Sequence, residues 1–252
     1  MIAIRNNSLR QSRDDLLTQL PWQYELVGFS DDALLIEVLK EELLSDPLYE
    51  AGAYYLQNLS SQLPALVLAP EPGEQVLDMC AAPGSKTTQL AALTQNTGKI
   101  IANDASRERC FKLRALLERY GVANTKVITQ KGEFLWRKYT DAFDRVLVDA
   151  PCSMDLVKSP KEIKALARQQ TYLMRSAIAC TRPGGTIVYS TCTSDPRENE
   201  QVVAWVLDNV EGVQIEAITK LLPEFQTKEG YLKIPKDEIW ESFFVAKFNR
   251  LG

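Results

Sequence analysis

The chain has 252 residues, 45% of them apolar, enough for one large unit or for a unit of about 200 residues with a small appendage. It contains no histidine, which excludes Ser/His/Asp and Cys/His catalysis and histidine-ligated metals, and its net charge of −4 argues against indiscriminate nucleic-acid binding, though not against a locally basic groove. Five cysteines without a CxxC pair, no apolar run near the roughly 20 residues of a membrane span, and a start that lacks signal-peptide order point to a reduced, metal-free cytoplasmic protein.

Residues 1–45 read as a small separate unit and 46–252 as the main one. In the first, residues 2–4 suit a short strand, and Ser12 suits the cap of a helix reaching Leu20, with Asp14 and Asp15 in its first turn. Residues 24–29 and 33–38 alternate like strands, the second also compatible with helix, and Asp46-Pro47 marks a boundary. Ser60 or Ser61 then suits the cap of a helix to about Leu68. Strands follow at 75–79, 99–103, 126–129, 145–149 and 186–190, with helices starting near Lys86, Ser106, Phe134 and Ser159. This alternation predicts a parallel sheet with crossover helices, and residues 241–248 read as a last strand at the sheet edge.

Ligands of open α/β sheets bind past the carboxyl ends of the strands. Strand 75–79 runs into Cys80-Ala81-Ala82-Pro83-Gly84-Ser85-Lys86, where Gly84 permits close backbone approach and a helix N-terminus favours polar groups. The loop is neither GxGxxG nor GxxxxGK[ST], which counts against dinucleotides and nucleoside triphosphates. Asp104 ends the next strand, where a carboxylate accepts both hydroxyls of a ribose, so the two features together suggest a nucleoside cofactor. Two later strands each run into a cysteine, Cys152 in Asp149-Ala150-Pro151-Cys152-Ser153 and Cys192 in Ser190-Thr191-Cys192-Thr193. Cys80, Cys110 and Cys180 read as structural.

These segments, together with 52–61, the helix at Pro160, the stretch 183–200 and Phe243-Phe244, resemble the RNA (cytosine-5) methyltransferases of the Nop/Sun type over nearly the whole chain. The resemblance implies a Rossmann-like, seven-stranded class I methyltransferase sheet with a small α+β RNA-recognition-like N-terminal domain, and S-adenosylmethionine as cofactor. By the same resemblance Cys80 to Lys86, Asp104, Arg109 and Asp149 line the cofactor. Cys192 is then the nucleophile that adds to cytosine C6, favoured as thiolate by Lys86 and the sulfonium. Asp149 contacts the base near N3 and N4 with help from Lys86, and Cys152 assists release. The implied partner is RNA, ribosomal in preference to transfer RNA.

The chain departs from the family pattern at Ser85, where glycine is usual, at Glu241-Ser242, where Asp-Gly is common, and at 130–133, where Glu133 is only a candidate adenine contact. Two alternatives stay open. One is a same-fold enzyme acting on another substrate such as DNA, whose enzymes attack with the cysteine of the Pro-Cys motif, here Cys152. The other is an inactive RNA-binding assembly factor, against which both thiols, Asp149 and Lys86 argue. Phosphates would be tracked by Lys161, Lys164, Arg168 and Arg175 on one helix face, by Arg107, Arg109, Lys112, Arg114 and Arg119 on another, or by Arg5, Arg10 and Arg13.

Overall fold

The computed structural model describes residues 1–252 and builds them into two sheets. The small sheet follows the order β1 (Ile2–Asn6), α1 (Arg13–Gln19), β2 (Tyr24–Leu26), β3 (Ala33–Ile36), α2 (Lys40–Leu44), α3 (Pro47–Glu50) and β4 (Tyr54–Leu56). Its strands are antiparallel in the spatial order β2-β3-β1-β4, a β-α-β-β-α-β arrangement. Ser12 caps α1 by accepting from Asp15 N, as its position in the sequence suggests. Because β4 pairs with β1 through Ile4↔Leu56 and Asn6↔Tyr54, the small sheet reaches past residue 45. The pairing is long-range, so no local signal at Asp46-Pro47 reports it.

The central strands of this sheet are covered on both faces. Ile4, Leu34 and Ile36 pack under α1 and α2 with Leu16 and Leu43, while Ala33 and Leu35 meet Leu59 and Trp240 of the main unit. Side chains of one strand point alternately to opposite faces, so β3, buried at all four positions, is a sandwiched strand.

The main sheet carries β5 (Gln75–Asp78), β6 (Lys99–Asp104), β7 (Thr125–Thr129), β8 (Phe143–Asp149), β9 (Thr181–Thr191), β10 (Val213–Glu216), β11 (Leu232–Ile234) and β12 (Phe243–Arg250). Seven strands run in the order β10-β12-β9-β8-β5-β6-β7, and β11 adds an eighth by pairing beside β10 along β12. The strands β5 to β9 are parallel, and β12 joins β9 antiparallel. The tail strand is therefore interior, not at the edge, because β10 and β11 cover its far side.

Helices α4 (Leu59–Leu68), α5 (Ser85–Leu93), α6 (Arg107–Arg119), α7 (Pro160–Cys180) and α8 (Glu200–Asn209) flank the sheet. Asn58 caps α4 through Ser60 N, in place of either serine. Ser159 and Glu162 close a capping box at α7, with Pro160 in the first turn. The segment expected as a helix from Phe134 is a short 3-10 turn, Gly132–Arg137, pressed so closely on the core that a Cβ at Gly132 would lie 2.6 Å from Leu173. No helix is long and apolar enough to cross a membrane. The chain runs from β5 to β6 on one side and later to β8 on the other, so β5 and β8 flank a topological switch point, where such sheets bind ligands.

Candidate active site

A cavity of about 460 Å³ opens at that switch point. Cys80, Ala82, Pro83, Ser85, Lys86, Asp104, Arg109, Glu133, Asp149, Cys152 and Cys192 all line it. Two of the expected cofactor residues face elsewhere. Ala81 is buried with Ala102, Leu113 and Leu117 under α6. Gly84 has φ +120°, and a Cβ there would lie 2.7 Å from Leu113 and 2.9 Å from Leu116. Its glycine character is thus required by the packing of α6 on the loop, not by approach to a ligand. Cys80 lines the cavity while packed against the main core, and burial pushes its thiol well up.

Asp104 is buried at the end of β6. Its carboxylate accepts from Ala82 N (3.3 Å) and Ser106 N (2.9 Å) and pairs with Arg109 Nη1 at 3.1 Å. A carboxylate offers about four acceptor directions, so one remains for a ligand hydroxyl. The cavity volume also falls in the range of small-molecule sites, about 300–1,000 Å³. The residues therefore fit a nucleoside cofactor. Glu133 lies on the same wall, held by Gln169 Nε2 at 3.1 Å.

Lys86 stands in the first turn of α5, almost fully buried. Its Nζ pairs with Asp149 Oδ2 at 2.7 Å, donates to Ser61 Oγ at 3.0 Å and sits 5.4 Å from the centre of the Phe243 ring. The second oxygen of Asp149 accepts from Ser190 Oγ at 2.8 Å. Asp149 and Ser190 are register partners at the ends of β8 and β9, so strand pairing itself fixes this bond. Behind them Asp78 is buried, with Thr87 Oγ1 donating to one oxygen and the other unpartnered, and burial lifts its carboxyl to about 7.

The two thiols approach to 3.2 Å. They leave neighbouring parallel strands a few residues past the same register pair, which places both at one end of the cavity. Cys192 is held below the ordinary thiol value, first by its hydrogen bond with Cys152, and Cys152 is correspondingly pushed up. Lys86 helps Cys192 but less than Cys152 does, and the Asp149 charge opposes it. The thiolate is thus supported chiefly by the second cysteine, a contact between residues 40 apart that sequence order does not reveal.

The basic candidates differ in their partners, with Arg107 on α6 and Arg175 on α7 exposed and Arg114 reaching only Cys110 O of its own helix. On α6, Arg109 pairs with Asp104, Lys112 with Glu108, and Arg119 donates to the carbonyls of Tyr49 and Glu50. Arg5 is buried against Thr88 Oγ1 at 2.7 Å, Arg10 donates to Arg119 O, and Arg13 pairs with Asp14 and Asp31. On α7, Lys161, Lys164 and Arg168 stay exposed and line a groove that shares Glu133 and Gln169 with the cavity. No cluster of acidic, cysteine or histidine side chains has the makings of a metal site.

Sequence reasoning assigned no role in the site to Ser61, read only as a candidate helix cap, or to Ser190 or Phe243. Ser61 and Phe243 stand in stretches that carry the resemblance, yet what they touch is set by the fold.

The comparisons agree with this architecture. The model of the 16S rRNA methyltransferase RsmB/F family matches residues 65–249. Ribosomal RNA small subunit methyltransferase F of Shewanella loihica is 35% identical over 99% of this chain, and that of Serratia proteamaculans 37% identical over 98%. The chain spans 56% of the length of each of these relatives. A solved methyltransferase homolog protein from Pyrococcus horikoshii superposes with a TM-score of 0.88 at 32% identity, covering 99% of this chain and 86% of that one. A switch-point cavity with two strand-end thiols, a matched family model over most of the chain and relatives alike from end to end of it lead to one conclusion: the chain belongs to the RsmB/F family of 16S rRNA methyltransferases.

Proposed function

We propose that this chain methylates C5 of a cytosine in ribosomal RNA, using S-adenosylmethionine and a transient Cys192–C6 bond. The observation that carries the reading is the single cavity joining Cys192, Cys152, Asp149 and Lys86 to Asp104 and the loop after β5. The relatives are ribosomal RNA small subunit methyltransferases, which supports ribosomal RNA as the substrate class.

The cofactor supplies an electrophilic methyl group, and Asp104 and the 80–86 loop would hold it. Cytosine C5 is a poor nucleophile until a thiolate adds to C6 and turns it into an enamine-like carbon, which splits one hard step into easier ones. Cys192 is taken as the thiolate, since its hydrogen bond with Cys152 is the largest influence holding it below the ordinary thiol value. The Lys86–Asp149 pair offers hydrogen bonds to the base edge and steadies the charge that develops in the ring. Afterwards a base in the pocket takes the C5 proton, the freed electron pair re-forms the C5–C6 double bond, and the carbon–sulfur bond breaks to return Cys192 as thiolate. Cys152, 3.2 Å from the departing sulfur, assists that release. The target base must be unstacked to enter such a pocket. The exposed cations of α7 and the exposed Phe134 and Trp136, with the Arg137 guanidinium over both rings, suit a flanking single strand.

The attack by Cys152 used in DNA enzymes is the competing arrangement, and trapping decides between them. RNA carrying 5-azacytidine is expected to form a covalent adduct with the wild type and with Cys152→Ser but none with Cys192→Ser. Cytosine RNA is expected to accumulate as a covalent complex on Cys152→Ala. An adduct that survives Cys192→Ser and vanishes with Cys152→Ser reverses the assignment.

A further inference from the structure

We infer that the adjacent residues Glu198 and Asn199 are positioning residues that set the two thiols against each other, each holding one cysteine from both sides. Both are fully buried. Glu198 accepts from Ser153 N at 3.1 Å and from Gln170 Nε2 at 2.9 Å, and Gln170 Nε2 also donates to Pro151 O at 2.9 Å. The residues before and after Cys152 are thereby tied to one carboxylate. Asn199 Oδ1 accepts from Thr191 Oγ1 while its Nδ2 donates to Thr193 O at 2.8 Å, which ties the residues before and after Cys192. Ser153 Oγ and Thr193 Oγ1, 2.9 Å apart, join the two loops directly.

Two features show that these bonds are the purpose of the pair. Asn199 occupies the N-cap position of α8, where asparagine usually accepts from its own helix, yet it makes no cap bond. Its amide is spent on Cys192's neighbours instead. Glu198 forms no ion pair, and a carboxylate buried without a cation is costly unless donors satisfy it. The donors here are the Ser153 amide next to Cys152 and the Gln170 side chain that also holds Pro151. Tyr189 OH donates to Glu198 O at 2.5 Å, anchoring the dipeptide on the strand that delivers Cys192.

The role of each residue in the reaction rests on the function proposed above, but thiol spacing does not. In the full chain, diamide takes two electrons and two protons from the paired thiols, leaving a Cys152–Cys192 disulfide and a hydrazine. Peptide mapping follows this closure. In Glu198→Gln an NH2 replaces one of the two oxygens that face the Ser153 N–H, and in Asn199→Asp a carboxylate faces the Thr193 carbonyl. Both variants keep side-chain shape, and thermal unfolding confirms that they fold. Closure is expected to slow roughly tenfold in each, the size of one lost charge-assisted or buried hydrogen bond. With RNA the two should diverge. Asn199→Asp forms the 5-azacytidine adduct roughly tenfold more slowly, because the attacking sulfur is displaced. Glu198→Gln slows it less, through the weakened Cys152–Cys192 contact, but accumulates covalent complex on cytosine RNA, as Cys152→Ala does. Unchanged closure in both variants, or equal loss in every readout, overturns the inference. Slowed closure with no RNA adduct even in the wild type leaves the positioning role standing and removes the proposed reaction.

Discussion

At the scale of single residues, the site is a set of close pairs whose members stabilise each other's charge states. The hydrogen bond with Cys152 is the largest influence that holds Cys192 down, so removing it has a defined sign. In Cys152→Ala the pKa of Cys192 is expected to rise, shifting the pH profile of its alkylation by iodoacetamide to higher pH. Cys152→Ser keeps a hydroxyl donor and is expected to shift it less. An identical profile in all three proteins would show that the contact does not govern the thiolate. The places of Cys192, Cys152, Asp149 and Lys86 were legible because each stands at a strand end, one to three residues past one, or at a helix start, where local pattern predicts position. Ser61, Phe243, Glu198 and Asn199 were not, because their roles arise from contacts between distant segments. Glu198-Asn199 stands inside the 183–200 stretch, but two polar residues before a helix read as a solvated cap, and only the fold shows them buried.

At the scale of elements, the loop between β5 and α5 is shaped as much by α6 as by any ligand. A methyl group at position 84 meets Leu113 and Leu116, and φ +120° strains any L side chain. Gly84→Ala is expected to lower stability by about 1–3 kcal/mol, read as a fall in the denaturant midpoint with little change in slope. Retention of the full midpoint would mean that α6 relaxes without cost. The α7 boundary was readable from Ser159, Pro160 and Glu162, since a capping box is local chemistry. The same kind of reading misplaced the 3-10 turn after Gly132, where apolar spacing mimics a helix but tertiary packing shortens it. It also placed the tail strand at the edge, because neighbour order in a sheet is decided by residues far apart in sequence.

For the whole molecule, the small sheet is built into the main unit. Its strand β1 sends Arg5 to Thr88 on α5, Asn7 Nδ2 donates to Gly52 O and Tyr120 O, and Tyr120 OH donates to Tyr54 O. Leu35 and Ala33 close on Leu59 and Trp240. Thermal unfolding is therefore expected to give one transition, coincident by calorimetry and circular dichroism, in place of two. A separate early melt of the N-terminal unit would contradict this coupling. The net charge of −4 is compatible at this scale with a local basic groove, since Lys161, Lys164 and Arg168 lie exposed along α7 beside the cavity. The 3.2 Å approach of the sulfurs has an evolutionary corollary. A heterocycle docked in one orientation would find either sulfur within a small displacement of its reactive carbon. On the function proposed above, exchanging the attacking position would need only a change in which sulfur gives up its proton, with every strand left in place.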